Sequence, residues 1–417
     1  MGAGYWSKIK SFNRETRIVV AIQAVGGFVY GGIWSVLSNL FILRLGYGTA
    51  FIGTVLAAML ATQAVLSLPA GALSVALGPR RTLVLSLVLM LLSGVASVGA
   101  ELIPAAWRQP YVLVVAIVFY AGITLYSVCA APLLAGVTSA EERPHAFALL
   151  MCLMSVGGFL GGLVAGQLPG LFGRLTGLNL TQARPYGLSL LAGYLLLAPT
   201  IWLASNLPEQ RVERKERVAA RGPTPYALLL VIGLIGLLRC AGESTARSFY
   251  SVYLDQALGV STARIGLGVS LGNLLAVAAP LLMPLLVQRL GKLYALVVSV
   301  LGLAACIAWV GLGGGWPMVA LAYVLLIAVA TLARSAWMLF SQEVVAPELR
   351  PLTTAANNVG IGVGSAILSA AGGYMAAALG YGSLYGVSAA TVALGALTAW
   401  AYFGRRRRVA EAASAAD

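Results

Sequence analysis

Residues 48–81 read GTAFIGTVLAAMLATQAVLSLPAGALSVALGPRR, and residues 261–292 read STARIGLGVSLGNLLAVAAPLLMPLLVQRLGK. Each stretch is an apolar run longer than the ~20 residues a helix needs to cross a ~30 Å hydrocarbon core, closed by a glycine and a basic residue. GTAFIG (48–53) matches STARIG (261–266) at an offset of 213, and the same offset, without a gap, places Leu77-Gly78 on Leu290-Gly291, Leu83 on Leu296 and Ser86 on Ser299. Further on, Arg143-Pro144 aligns with Arg350-Pro351, Gly157 with Gly364 and Gly166 with Gly373, at an offset of 207. A second half repeats the first in the same orientation, as in transporters whose halves are related by an axis along the membrane normal.

Working outward, apolar spans fall near 17–43, 49–77, 82–100, 111–138, 146–172, 187–205, 226–254, 263–287, 293–313, 317–341, 353–379 and 382–403. The chain of 417 residues is 60% hydrophobic and 10% charged, against roughly 25% charged in an ordinary soluble domain. The sequence therefore predicts an all-α polytopic membrane protein, with twelve transmembrane helices in two pseudo-symmetric six-helix bundles. Residues 1–205 form the first half, 206–225 a charged linker, 226–404 the second half and 405–417 a basic tail.

A net charge of +14 would suggest nucleic acid in a soluble protein; here its placement sets topology. Nineteen of the 27 Lys and Arg residues lie at the N-terminus, in alternate connections including Arg80, Arg81 and Lys292, in the linker, and in the Arg405–Arg408 run; five lie on the opposite side. The positive-inside rule puts both termini and the linker in the cytoplasm. Four cysteines sit inside apolar runs without C-x-x-C spacing, and the single histidine, His145, lies in a charged loop. No metal site, cofactor or intramembrane enzyme is expected, and no phosphate-cradling loop for ATP is present.

Three cations remain within spans. Arg239, Glu243 and Arg247 follow one another at i, i+4 and i+8 in span seven, and Arg334 lies in span ten. A central arginine costs about 2.5–3.5 kcal/mol on insertion scales, so it needs a partner or a wet cavity. With Glu243 ionised the four groups sum to +2, a charge suited to an anionic or carboxylate-bearing solute, and Glu243 is the one acid well within a span and so the candidate proton carrier. Span one adds Gln23, Gly27, Tyr30 and Trp34 on one stripe; span four adds Tyr120 and Thr124; span ten adds Tyr323 and Trp337. Glycines cluster at Gly157, Gly158, Gly161, Gly162 and Gly166 and again at Gly360, Gly364 and Gly373, where helices can approach closely.

The six-plus-six plan, the charged linker and the loop after span two resemble the major facilitator superfamily over essentially the whole chain. That loop, with Gly71, Gly78, Arg80 and Arg81, is similar to the family's G-x-x-x-D-R-x-G-R-R motif, with Val75 at the acidic position and a looser second copy ending in Gly291 and Lys292. GGFLGG (157–162) resembles the family's antiporter core G-P-x-x-G-G with Gly158 replacing proline. The resemblance implies a central cavity lined by spans one, four, seven and ten, and the gating loops Gly71, Gly78, Arg80, Arg81, Gly291 and Lys292. It implies a monomeric secondary or facilitative transporter, working by alternating access in a bilayer such as the bacterial inner membrane. The expected solute is a small organic anion or amphipathic carboxylate, with protons or a counter-ion as further partners and no nucleic acid. The alternative is proton-coupled efflux of drug-like compounds.

The topology is testable. A phosphatase active only outside the cytoplasm, inserted at Asn179, should be active, whereas the same enzyme fused after Asp417 should be inactive. The reverse pattern would invert the assignment.

Overall fold

A computed structural model describes residues 12–139, 142–209, 226–345 and 350–414. Among these residues, twelve helices are long and apolar enough to cross a membrane: α1 Arg14–Arg44, α2 Thr49–Leu77, α3 Pro79–Leu102, α4 Ala105–Val137, α5 His145–Thr176, α6 Arg184–Ser205, α7 Ala227–Gln256, α8 Thr262–Leu290, α9 Lys292–Leu312, α10 Trp316–Ser341, α11 Ala356–Leu379 and α12 Tyr381–Gly404. They coincide with the expected spans to within a few residues. α12 continues as helix through the basic run to Ser414. Lys8, Lys10, the linker beyond residue 209 and the last three tail residues lie outside the described residues.

Hydrocarbon offers backbone N–H and C=O groups no partner, which is why apolar segments of this length close their hydrogen bonds within helices. Where two helices must turn back at once, the backbone needs glycine. Gly78, between α2 and α3, has φ 86° and ψ 152°; Gly291, its repeat equivalent between α8 and α9, has φ 77° and ψ 164°. That region is essentially closed to residues with a Cβ.

The chain folds as two compact units: Met1–Gly48 with Ala58–Lys215 and Leu254–Leu274, and Thr49–Ala57 with Glu216–Tyr253 and Leu275–Asp417. Relative to the sequence repeat, the first turns of α2 go with the second unit and the first turns of α8 with the first.

In the first unit α1 lies backbone to backbone on α5. A Cβ on Gly27 would enter the Met154 carbonyl, one on Gly32 the backbone of Gly161, and ones on Gly157 and Gly161 the backbone at Ala24 and Phe28. Along this contact α1 relaxes into a π-helical stretch, Gly27–Trp34, closed by Ser35, whose hydroxyl donates to the carbonyls of Gly31 and Gly32. The other face of α5 meets α8: Gly158 faces Asn273, Gly162 faces Ser270 and Gly166 faces Ala263. The glycines of span five thus serve two interfaces rather than a single seam between halves.

In the second unit α7 packs on α11 in the corresponding way, Gly360 against Gly233 and Gly364 against Leu237. The repeat shows in detail. A Cβ on Gly266 would lie 2.5 Å from the Gly162 carbonyl and 2.9 Å from Gly166 Cα in the first unit. One on Gly53 would lie 2.7 Å from the Ser369 carbonyl and 2.8 Å from Gly373 Cα in the second.

Because the obstacle at Gly27 is backbone, Gly27→Ala should cost about 1–3 kcal/mol, the usual penalty of overpacking. At Gly170, also in α5, a Cβ meets nothing within 4 Å. Gly170→Ala should leave the melting temperature of the detergent-solubilised protein unchanged while Gly27→Ala lowers it; equal effects would contradict the contact.

Candidate functional site

The polar centre of the second unit is built on α7. Glu243 is buried, and its two oxygens have different duties: Oε2 accepts from Arg239 Nη1 at 3.2 Å, while Oε1 is shared by Arg247 Nη1 at 3.4 Å and Arg334 Nη2 at 3.1 Å. The i, i+4 spacing places Arg239 one turn before the carboxylate and Arg247 one turn after it, and α10 brings Arg334 in from the side.

Exposure separates the three cations. The Arg239 side chain is 2% exposed, Arg247 37% and Arg334 59%. Arg239 also donates from Nη2 to Cys240 Sγ at 2.8 Å, and its Nε is buried with no hydrogen-bond partner among the described residues. The arginine that chain position puts nearest the bilayer centre is therefore held inside the protein, and the two whose side chains keep exposed surface are Arg334 and Arg247. Arg247 pairs with Glu243 rather than reaching only to an interface, and Arg334 pairs with the same carboxylate rather than with helix-end carbonyls.

Around this cluster Tyr323 is buried and stacked on Tyr250, ring centroids 3.5 Å apart and 8° from parallel. Trp337 is buried with its indole N–H given to Asn357 Oδ1 at 2.9 Å, and Asn357 in turn packs on Gly236. Thr245 and Ser369 share a hydrogen bond of 3.3 Å, and the Tyr385 hydroxyl donates to the Ala246 carbonyl. These contacts fix α7 against α11 and α12, and so fix the carboxylate.

The first unit holds the aromatic candidates. Tyr30 and Trp34, both in the π-helical stretch, stack at 4.9 Å; Trp34 lies 6.0 Å from Phe119, and the Tyr30 and Tyr120 hydroxyls are 3.1 Å apart. Tyr30 and Trp34 keep exposed surface, whereas Tyr120 is buried. Gln23 is buried and accepts from the Tyr126 hydroxyl at 2.7 Å, and Thr124 is buried with its hydroxyl on the Tyr120 carbonyl. Gln23 Oε1, the Thr124 hydroxyl and the Trp337 indole N–H are thus each taken up inside the protein.

Of the expected gating loops, Arg80 donates to the Ser205 carbonyl and so caps the end of α6, and Arg81 pairs with Glu209 at 2.6 Å on the surface. Gly71 stands in open space. The sequence reading passed over another pair in the first unit. Arg44, closing α1, makes a bidentate bond to Asp255, with Nη1–Oδ2 2.8 Å and Nη2–Oδ1 2.5 Å. It also donates from Nε to the Leu180 carbonyl, with its guanidinium 5.2 Å from the centre of the Tyr186 ring. The available signal was that opposite charges close the first span of each repeat. Among the described residues, no three of His, Cys, Asp and Glu come together as metal ligands would.

No curated protein matches the chain. Solved structures match its fold over nearly their whole lengths. The nucleoside transporter NupG aligns with TM-score 0.72 and 14% identity, over 94% of this chain and 99% of its own. The xylose transporter XylE from E. coli, in an inward-open conformation, gives 0.72 and 16% over 92% and 96%. A bacterial homologue of the iron transporter ferroportin gives 0.68 and 13% over 93% and 98%. The Major Facilitator Superfamily model matches residues 19–238 and again 232–417, so the chain belongs to that family: it is a multi-pass membrane transporter and not an enzyme.

Proposed function

We propose that the protein carries a small organic anion or amphipathic carboxylate by alternating access, with Arg334 and Arg247 as its anion contacts. The observation that carries this reading is the sharing of one Glu243 oxygen between two arginines whose side chains are partly exposed. A guanidinium can bond both oxygens of a carboxylate at once, and Arg334, meeting Glu243 through one Nη2–Oε1 contact at 3.1 Å, keeps that capacity for a second carboxylate. An arriving carboxylate takes up the free donors, and the surplus of two positive charges over one carboxylate falls. Arg239, buried behind Glu243, holds that carboxylate in place.

The same arrangement bears on coupling. A proton on Glu243 alone would leave three neighbouring cations without an anion, so a proton enters this cluster together with the solute anion. Both termini cytoplasmic, in a bacterial inner membrane, completes the reading, on the strength of the basic-residue asymmetry. A second reading, proton-coupled efflux of drug-like compounds, draws on the partly exposed Tyr30–Trp34 stack, a surface suited to planar apolar groups.

A thermal-shift panel on the detergent-purified protein separates them. A ligand at 100 times its Kd adds about 2.7 kcal/mol to the native state. Small carboxylates should raise the melting temperature of the wild type and of Arg239→Lys, and the rise should vanish in Arg334→Ala. Stabilisation by cationic or neutral amphipathic compounds alone, unchanged in Arg334→Ala, would make the arginines structural and put efflux first.

Alternating access also requires bonds that join the two sequence repeats to break in each cycle, and Arg44–Asp255 joins the end of α1 to the end of α7. Arg44→Ala should increase the labelling, by an impermeant maleimide added from outside, of a cysteine placed at Tyr47. The exchange Arg44→Asp with Asp255→Arg should restore protection; unchanged labelling in Arg44→Ala would remove the pair from the cycle.

A further inference from the structure

At the cytoplasmic end of the first unit, α1 and α6 leave an open groove of about 360 Å³ lined by Phe12, Arg14, Arg17, Ile18, Ala21 and Leu203. Its chemistry changes along its length. Arg14, Arg17 and Ala21 lie on one exposed face of α1, and Ile18, Ala21 and Leu203 continue the groove as an apolar wall. The end of α1 is fixed: Asn13 caps it by accepting from the Thr16 N–H at 2.7 Å, and both Asn13 Nδ2 and the Thr16 hydroxyl donate to the Val137 carbonyl. The two arginines therefore project from an anchored helix N-terminus, itself a partial positive charge.

Depth is set by the neighbouring residue. Trp202 precedes Leu203 and is 66% exposed, in the position tryptophans take at the level of lipid headgroups. The same end of α6 also carries Arg80, on the Ser205 carbonyl, and Arg81, whose charge is matched by Glu209. A soluble anion would explain the arginines and not the apolar wall; a neutral lipid would explain the wall and not the arginines.

We propose that this groove is a binding site for an anionic phospholipid, with its phosphate at Arg14 and Arg17 and an acyl chain along Ile18, Ala21 and Leu203. Basic pockets between helices on the cytoplasmic side suit such headgroups, and each arginine near the surface is worth about fivefold in binding. The inference stands apart from the identity of the transported solute.

The full-length protein in vesicles tests it. Quenching of Trp202, taken as wild type minus Trp202→Phe, is measured with a small fraction of brominated phosphatidylglycerol or brominated phosphatidylcholine in a phosphatidylcholine background. Phosphatidylglycerol should quench at roughly 25-fold lower content, the product of two such arginines, and Arg14→Gln with Arg17→Gln should bring the two lipids to parity while the protein stays monodisperse. Should that double variant not fold, Leu203→Trp should fill the groove and abolish the preference, the Trp202 signal there being Leu203→Trp minus Leu203→Trp with Trp202→Phe. Equal quenching by both lipids in the wild type, or a preference that survives both variants, would overturn the proposal.

Discussion

The structure depends on close approach between helices that hydrocarbon gives no reason to associate. Lipid tails are as apolar as leucine, so helices in a bilayer are held by van der Waals contact and hydrogen bonds rather than by expulsion from water. Glycine supplies that contact by letting backbone touch backbone. In the first unit Gly27, Gly32, Gly157 and Gly161 bring α1 onto α5, and in the second Gly233 and Gly360 bring α7 onto α11. The functional side chains ride on these two helices. The π-helical turn of α1, which sets Tyr30 over Trp34, lies along the first contact, and the Glu243 cluster of α7 begins two turns beyond the second. Helices packed this tightly through glycine hold aromatic and charged groups at fixed spacing, which a site for a small solute requires.

Charge is the second constraint. Three arginines within spans would cost several kcal/mol in hydrocarbon, and one carboxylate, using its two oxygens unequally, meets all three. The unequal use divides the roles. Arg239 is enclosed and meets one carboxylate oxygen, while Arg247 and Arg334 share the other. A buried pair by itself is poor evidence of stability, since desolvation offsets much of the attraction. Retaining one here makes sense if the surplus charge is used.

The sequence made the architecture legible because its signals are physical necessities. Span length follows from bilayer thickness. Gly78 and Gly291 follow from a turn that no other residue makes, and the sequence repeat places one on the other. The i, i+4, i+8 run in α7 foretold that Arg239, Glu243 and Arg247 would share a face, and they do. What spacing could not give was tertiary. α7 carries Thr245 buried off its charged stripe as well, so periodicity could not say which arginine is enclosed. Gln23, Thr124 and Trp337 read as available polar groups, yet Tyr126, the Tyr120 carbonyl and Asn357 take them up. The π-helical stretch depends on α5 pressing against α1, which no local propensity encodes.

Arg44–Asp255 left only a faint trace in the sequence, opposite charges closing the first span of each repeat, and its partner choice is tertiary too. Asp255 lies roughly 18 Å along the axis of α7 from Glu243, on an uninterrupted helix. Were an anion to take Arg334 and Arg247 from the carboxylate, as proposed above, the load on α7 would change at its middle, while the ion pair with Arg44 restrains that helix at its end. The proposed site and the ion pair would then be coupled by the difference in how α7 is held at each, a difference that the Arg44 variants read out.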